Sequence, residues 1–491
     1  MGELGFPTLS FLIFFPLLGA ALIFLVKKES LAKFIALGTT LLNLVFGIPL
    51  WTNFDKTNPQ FQFVETFWWI PFLNAYYKVG IDGISLLFVM LTLLISVLCV
   101  LCSWTAIKQR VKEFYALLLM METIMLGVFC ALDMFLFYVF WEAMLIPMFL
   151  LIGIWGSHNR IYASVKFVIF TFAGSVLMLI GIIVLYYAGG KTFDVIELSK
   201  VQLPVNLQYW LFLAFFVAFA VKVPMFPFHT WLPDAHTEAP TAGSVILAGI
   251  LLKVGAYGFL RFTIPFCPEA TLGLKEIMQV LSITAIIYGA LVTLMQTDFK
   301  RLIAYSSISH MGFVTLGIFT LNKEAIEGAI LQMINHGIVT GALFMCIGVI
   351  YERTHTRDLS KYGGLGKVVP IFVFFYTLFS AAAIGFPGTN SFIGEFLIAL
   401  GVFKDRILLG AFLPLGFVLG TAYMVWLYYR VVFKEVPAEI KDQLYDLNLR
   451  EVLMFIPLVV LVFMIGFYPQ VLLGVLKGSV IQILNFLTEG L

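Results

Sequence analysis

Charge is scarce in this sequence. Asp, Glu, Lys and Arg make up 12% of its 491 residues, about half the share of an ordinary soluble domain. A chain so poor in charge does not have water as its main solvent. The formal net charge of +2 is too small to suggest nucleic acid binding. Cysteine is scarce as well, present only as Cys99, Cys102, Cys130, Cys267 and Cys346. No cluster of thiolates is available to hold an iron–sulfur centre. Cys99 and Cys102 do form a C-x-x-C, but it lies inside an apolar run with no second ligand pair, and it reads as helix packing. No small-residue cleavage site follows the first apolar segment, Leu12 to Val26, so a retained helix is expected there and not a signal peptide.

What the chain has instead is apolar length. Hydrophobic residues make up 61% of it, Phe alone numbers 51, and the mean hydropathy is +1.00. Runs of about 18 or more apolar residues read as membrane-spanning helices. Fourteen are predicted, at 7–26, 32–51, 83–104, 113–131, 133–155, 163–187, 208–226, 243–261, 275–295, 301–320, 325–350, 369–403 (interrupted), 408–431 and 451–473. No soluble domain or long linker fits between them. The expected fold is therefore all-α, a polytopic bundle forming one membrane domain over 1–491. An even number of spans puts both termini on one side. The alternate loops beginning with Lys27, Lys28 and Lys33 carry 18 lysines and arginines, against 10 in the opposite set. The positive-inside rule makes the cationic set cytoplasmic and turns both termini outward.

Two of the 30 basic residues belong to neither set: Lys222 and Lys253 are embedded in apolar helix. A charge at the centre of a membrane helix costs on the order of 3 kcal/mol on insertion scales, and such residues usually face the bundle interior and carry function. Glu142 in "FYVFWEAMLIP" and Glu395 in "FIGEFLIALG" are embedded in the same way, with Glu122 in "LLMMETIML" as a fifth candidate. His310 and His336 fall in the tenth and eleventh spans. Each has a plain alternative: Lys222 near a Pro-rich helix end can snorkel to the interface, buried acids can stay protonated, and a lone histidine can be a satisfied core residue. Taken together, two acids (Glu142 and Glu395), two lysines and two histidines fit a chain of titratable sites. A desolvated lysine loses affinity for its proton and a nearby carboxylate restores it, so a small motion switches such a group between holding and releasing. Histidine titrates near neutral pH and passes protons through water.

Two spans are broken. The seventh contains "KVPMFPFH", with Pro224 and Pro227, and the twelfth "IGFPGTNSFIG", with Gly385, Pro387 and Gly388. Backbone groups freed by such breaks survive in a membrane only where protein or water satisfies them. Each broken span is fourth in a group of five, spans four to eight (113–261) and nine to thirteen (275–431). Because five is odd, the second group starts on the opposite side of the membrane. That is the pattern of inverted-topology repeats with a functional site at the discontinuous helices. The loop after the seventh span, "HTWLPDAHTEAPT", offers His229, Asp234, His236 and Glu238, but Pro233 interrupts the spacing and no metal motif is formed.

At these residues the chain resembles a known family. "VKVPMFPFHTWLPDAHTEAPTAGSVILAGILLKVGAYGFLRF" (Val221 to Phe262) is similar to the signature of the antiporter-like membrane subunits of respiratory complex I and of Mrp-type cation/proton antiporters. "DFKRLIAYSSISHMG", "NHGIVTGALF" and "WEAMLIPMFLLIGIWG" extend the resemblance over nearly the whole chain, with a minor departure at Thr241. "GFPGTNSFIGEF" looks like the NuoM-type branch, in which the twelfth span carries Glu where NuoL, NuoN and Mrp subunits usually carry Lys. The chain also ends without the long lateral helix of NuoL. What the resemblance implies is a proton-translocating subunit of NADH:quinone oxidoreductase, a redox-driven pump. Glu142 would match the acid paired with the lysine at Lys222, Lys253 the central relay lysine, His310 and His336 the polar link, and Glu395 the terminal proton site. It implies no cofactor on this chain, with NADH, FMN, iron–sulfur clusters and quinone on partner subunits. The implied partners are the other membrane subunits of complex I, neighbouring antiporter-like subunits included, and the implied location is a bacterial inner membrane. A subunit of a Mrp-type antiporter or a membrane-bound hydrogenase is the alternative with the same fold.

Overall fold

The computed structural model describes residues 6–489, so the outermost residues of the domain expected over 1–491 lie outside the described part. The chain forms α1 (Thr8–Leu25), α2 (Glu29–Asn53), a hairpin of β1 (Gln62–Ile70) and β2 (Ala75–Ile81), α3 (Gly83–Cys102), α4 (Val111–Cys130), α5 (Met134–Trp155), α6 (Arg160–Ala188) and α7 (Val205–Lys222). There follow α8 (Trp231–Glu238), α9 (Thr241–Phe266), α10 (Pro268–Leu294), α11 (Phe299–Thr320), α12 (Lys323–Thr354), α13 (Pro370–Ile384), α14 (Asn390–Asp405), α15 (Ile407–Val432), α16 (Leu449–Phe467) and α17 (Gln470–Glu489). Polar residues at the helix starts set where several begin. Asp82, Asp133, Asp298, Asn322 and Asn448 each place a side-chain oxygen on free N–H groups in the first turn of α3, α5, α11, α12 and α16.

Helices α9 and α12 are buried all round, with α3, α4 and α11 nearly so, whereas α1, α2, α15 and α16 keep broad exposed apolar faces. In a bilayer that exposure is contact with lipid, and the inner helices form a core shielded from it. The chain is a multi-pass membrane protein: fourteen of its helices are long and apolar enough to cross a bilayer. They are not the fourteen expected from sequence. The interrupted span over 369–403 is the pair α13 and α14, each too short to be among the fourteen. The last expected span, 451–473, divides after Phe467, and α17 begins at Gln470. Helix α17 touches the starts of α3, α10 and α12 and the end of α9, so it runs across one end of the bundle. Its Ser479 Oγ accepts a hydrogen bond from Gly83 N at 3.0 Å.

The hairpin departs from the all-α expectation. Its strands pair antiparallel with Asn74 in a left-handed turn conformation between them. Aromatic partners hold the pair, Trp68 lying 4.2 Å from Tyr76 by ring centres. Glu65 of β1 accepts from the free amides of Leu9 (2.8 Å) and Ser10 (3.1 Å) at the start of α1, and Lys78 of β2 pairs with Asp194. The hairpin therefore ties the beginning of the chain to the loop before α7.

The seat of α17 depends on a missing side chain. A Cβ at Gly83 would lie 2.1 Å from Val475 O, which is backbone and cannot swing aside. Gly83→Ala is expected to lift α17 and cost about 1–3 kcal/mol, as overpacking does elsewhere. Thermal unfolding of the purified protein in detergent measures it, and an unchanged Tm would count against this account.

Candidate functional site

The embedded residues lie on the helices that close the core. Lys253 sits midway along α9 and is 0% exposed, and His336, midway along α12, is 3% exposed. Lys253 Nζ hydrogen-bonds His336 Nδ1 at 2.6 Å and also donates to Ala248 O. That carbonyl belongs to a π-helical turn, Leu247–Leu251, where the backbone ladder loosens and a carbonyl becomes available to a side chain five residues on. A second π-helical turn, Phe259–Thr263, lies beyond Lys253 on the same helix. Sequence gave no sign of either turn.

From His336 the polar row continues. Its ring centre is 6.0 Å from that of His310 on α11, and His310 Nδ1 is 3.4 Å from Glu395 Oε1 on α14. Tyr423 of α15 hydrogen-bonds His310 Nε2 at 3.2 Å. Gln332 Nε2 donates to Glu395 Oε1 at 3.0 Å, and Asn335 Nδ2 donates to Gln332 Oε1 at 3.4 Å and to Asn390 O at 2.8 Å. Four of the six expected residues thus form one line, Lys253, His336, His310 and Glu395, across α9, α12, α11 and α14. Gln332, Asn335 and Tyr423, which support the line, were not singled out from sequence. Polar amides inside a helix of membrane-spanning length were the available signal.

The break between α13 and α14 shapes the far end of this line. Gly385 has φ +75°, and a Cβ there would sit 2.8 Å from Glu395 Oε2. A left-handed residue with no side chain lets the chain turn directly beneath the carboxylate.

Lys222 and Glu142, implied as a pair by the resemblance, are neighbours without an ion-pair contact. Lys222 ends α7 and is 1% exposed, so it does not snorkel to an interface. Its Nζ lies 4.9 Å from the Trp141 ring centre and has no hydrogen-bond partner among the described residues. Glu142 is half-buried, and among the described residues it makes no ion pair within 4.0 Å, Lys222 included. The adjacent Trp141 stands against the ammonium as a π-face, which attracts a cation. Lys222 is tied to the line through packing: a Cβ at Gly255 of α9 would meet Lys222 Cβ at 3.0 Å. Glu122 is buried apart from the line, accepting from Asn43 Nδ2 at 2.8 Å.

The acids after α7 have other occupations. Asp234 pairs with Lys166 at 2.7 Å and Arg301 at 3.3 Å, and Glu238 accepts from Ser157 Oγ at 2.8 Å and Asn159 N at 3.1 Å. His236 is fully buried, stacked on Phe344 at 4.7 Å. Lys300, grouped by sequence with the loop cations, is buried and donates to Ala239 O between α8 and α9. It borders a cavity of about 170 Å³ that shares Trp155, Pro240, Thr241 and Tyr351 with a larger one of about 970 Å³. Lys33, Lys108, Glu352 and His355 line the larger cavity, which opens on the side of the cationic loops.

Residues 131–421 match the family described as NADH:quinone oxidoreductase/Mrp antiporter, membrane region. The chain is 46% identical to NADH-ubiquinone oxidoreductase chain 4 of Chondrus crispus, covering 96% of this chain and 97% of the relative. It is 46% identical to NADH-quinone oxidoreductase subunit M of Rhodobacter capsulatus, covering 97% and 96%. Among solved structures it resembles a chain of respiratory complex I from Thermus thermophilus, with a TM-score of 0.89 and 30% identity over 98% of this chain and 99% of that one. A chain of the archaeal membrane-bound sulfane sulfur reductase superposes with a TM-score of 0.83 at 26% identity, over 94% of this chain and 76% of that one. With a family match over more than half its length and relatives this similar end to end, the chain belongs to the NADH:quinone oxidoreductase/Mrp antiporter membrane family, on its subunit M branch.

Proposed function

We propose that this chain is the proton-translocating membrane subunit of an NADH:quinone oxidoreductase, with Lys253, His336, His310 and Glu395 carrying the proton. The observation behind this reading is the line itself: four titratable side chains from four helices, in a core sealed from lipid. Lysine and imidazole nitrogens pass a proton where they touch, as Lys253 and His336 do at 2.6 Å. The 3.4 Å approach of His310 to Glu395 suits the same transfer. Between the histidines, rings 6.0 Å apart are bridged by one ring rotation or a water.

Lys222 and Glu142 regulate the line from its side. A charge on Lys222 disfavours a charge on Lys253, and an approach of Glu142 to Lys222 weakens that effect. Their separation in this structure then corresponds to one setting of a two-position element. Protons reach Lys253 from the cationic side through the paired cavities that narrow to Lys300. In this reading α7 with α8, and α13 with α14, are the discontinuous helices of two inverted repeats, 113–261 and 275–431. The cationic loops face the cytoplasm of a bacterium and both termini face outward. NADH, FMN, iron–sulfur clusters and quinone belong to partner subunits, whose redox chemistry supplies the energy. Neighbouring antiporter-like subunits are the immediate contacts.

In the assembled enzyme, Lys222→Ala or Glu395→Ala is expected to slow pH-gradient formation about tenfold, or about 1.4 kcal/mol on the barrier. Acidification of the interior of inverted vesicles under NADH measures it, and full pumping in both variants rules the assignment out. Gly385→Ala tests the turn beneath Glu395. A left-handed alanine costs roughly 1–2 kcal/mol, and its Cβ displaces the carboxylate. Pumping is expected to fall while the complex still assembles on native gels. Normal pumping by the assembled variant would show that the position of Glu395 does not matter.

A further inference from the structure

Lys253, Tyr257 and Arg261 follow one another four residues apart on α9, in "KVGAYGFLR". That spacing puts Lys253 and Tyr257 along one face of the α-helical stretch, about 6 Å apart along the axis, and Arg261, in the π-helical turn that follows, returns to Tyr257 through a hydrogen bond to its hydroxyl. Lys253 and Tyr257 are fully buried. Arg261 borders a cleft of about 500 Å³ beneath α17, with Phe61, Lys200 and Ser479 among the other lining residues. The row therefore runs along α9 from the relay lysine to the end of the bundle away from the cationic loops, with the Lys253 ammonium itself turned toward Ala248 O and His336.

Its far end is tightly closed. Arg261 donates to Asp82 Oδ1 at 2.5 Å, to Ser85 Oγ at 3.3 Å and to Tyr257 OH at 3.1 Å. The guanidinium lies 4.7 Å from the ring centre of Phe61 and 5.2 Å from that of Tyr257. Tyr257 OH donates to Phe129 O at 3.2 Å and lies 3.0 Å from Ser85 Oγ. Burial pushes the Asp82 carboxyl up, but the guanidinium beside it outweighs that and holds it below the usual carboxylate range. Asp82 is thus an ionised anchor, and it also caps α3 through Ser85 N. A purely mechanical clamp between α3 and α9 would need nothing more. What the clamp reading leaves without a role is the alignment with Lys253. A fixed guanidinium at the mouth of a polar column is also an electrostatic barrier to protons, as arginines are in other narrow membrane passages.

We propose that Arg261, held in place by Asp82, is a fixed-charge plug that keeps protons on Lys253 from escaping along α9 into the cleft beneath α17. Both are positioning residues in this account, which rests on the relay reading above. The test is the passive decay of an imposed pH gradient in liposomes holding the assembled complex, with no NADH present. Arg261→Gln is expected to speed the decay severalfold and Arg261→Lys to leave it unchanged, with NADH oxidation in uncoupler normal in both. Adding Lys253→Met to Arg261→Gln is expected to restore tight vesicles, because the leak runs through the lysine. If Arg261→Gln does not assemble, Asp82→Asn is measured in its place with the same expectation. A tight membrane in the assembled charge-removing variant overturns the proposal, as does a leak that persists without Lys253. The relay reading fails separately, if Lys253→Met alone pumps at the normal rate during turnover.

Discussion

A charged group surrounded by hydrocarbon has to be satisfied from within the bundle, and the inner part of this structure is arranged around that requirement. Lys253 cannot reach water or a headgroup from the middle of α9. It takes a backbone carbonyl from its own helix and an imidazole from α12. Glu395 is likewise served by an amide from α12 and an imidazole from α11. Because the partners come from different helices, satisfying these ionisable groups also fixes how α9, α11, α12 and α14 pack against one another. The lipid-facing helices present broad apolar faces outward, and among them α2 and α15 turn single polar side chains inward, Asn43 to Glu122 and Tyr423 to His310.

The irregular backbone follows from the same requirement. A regular α-helix offers no free carbonyl to a side chain in its middle, so the π-helical turn before Lys253 provides one. Stopping a helix short brings backbone and side chain together where a continuous helix would hold them apart, as Gly385 does beneath Glu395. Such departures are costly in hydrocarbon unless protein surrounds them. Here they occur at the buried line and at the ends of the discontinuous segments, whereas the outer helix α6 runs through regularly and α1 and α2 each carry one internal proline, Pro16 and Pro49.

Much of this was legible in the sequence, for a simple reason. Apolar length identifies spans almost regardless of tertiary context, and an embedded Lys, Glu or His stands out against so plain a background. The six candidates were found that way, and four of them lie in one line. What could not be read depended on three-dimensional neighbours. Lys300 looks like a loop cation in "TDFKRL" until the break between α8 and α9 is seen to cover it. The resemblance implied Glu142 and Lys222 as a pair, but pattern carries no distance, and in this structure the Trp141 ring lies beside the ammonium. The hairpin escaped because "QFVETFWWI" alternates only briefly before its aromatic run, too weakly to outweigh its position in a polar stretch. Helix α17 has apolar length but lies across the bundle, and length says nothing of direction.

The line contains three bases and a single acid, and that inequality has a consequence for how many protons it holds. Only one positive charge is balanced by the Glu395 carboxylate at a time. Two cationic imidazoles whose centres are 6.0 Å apart would repel by about 3 kcal/mol at an effective dielectric constant of about 20. In the proposed relay, loading is therefore single-file: a newcomer is admitted as its predecessor departs, and the row would work as a turnstile with one place, not as a reservoir.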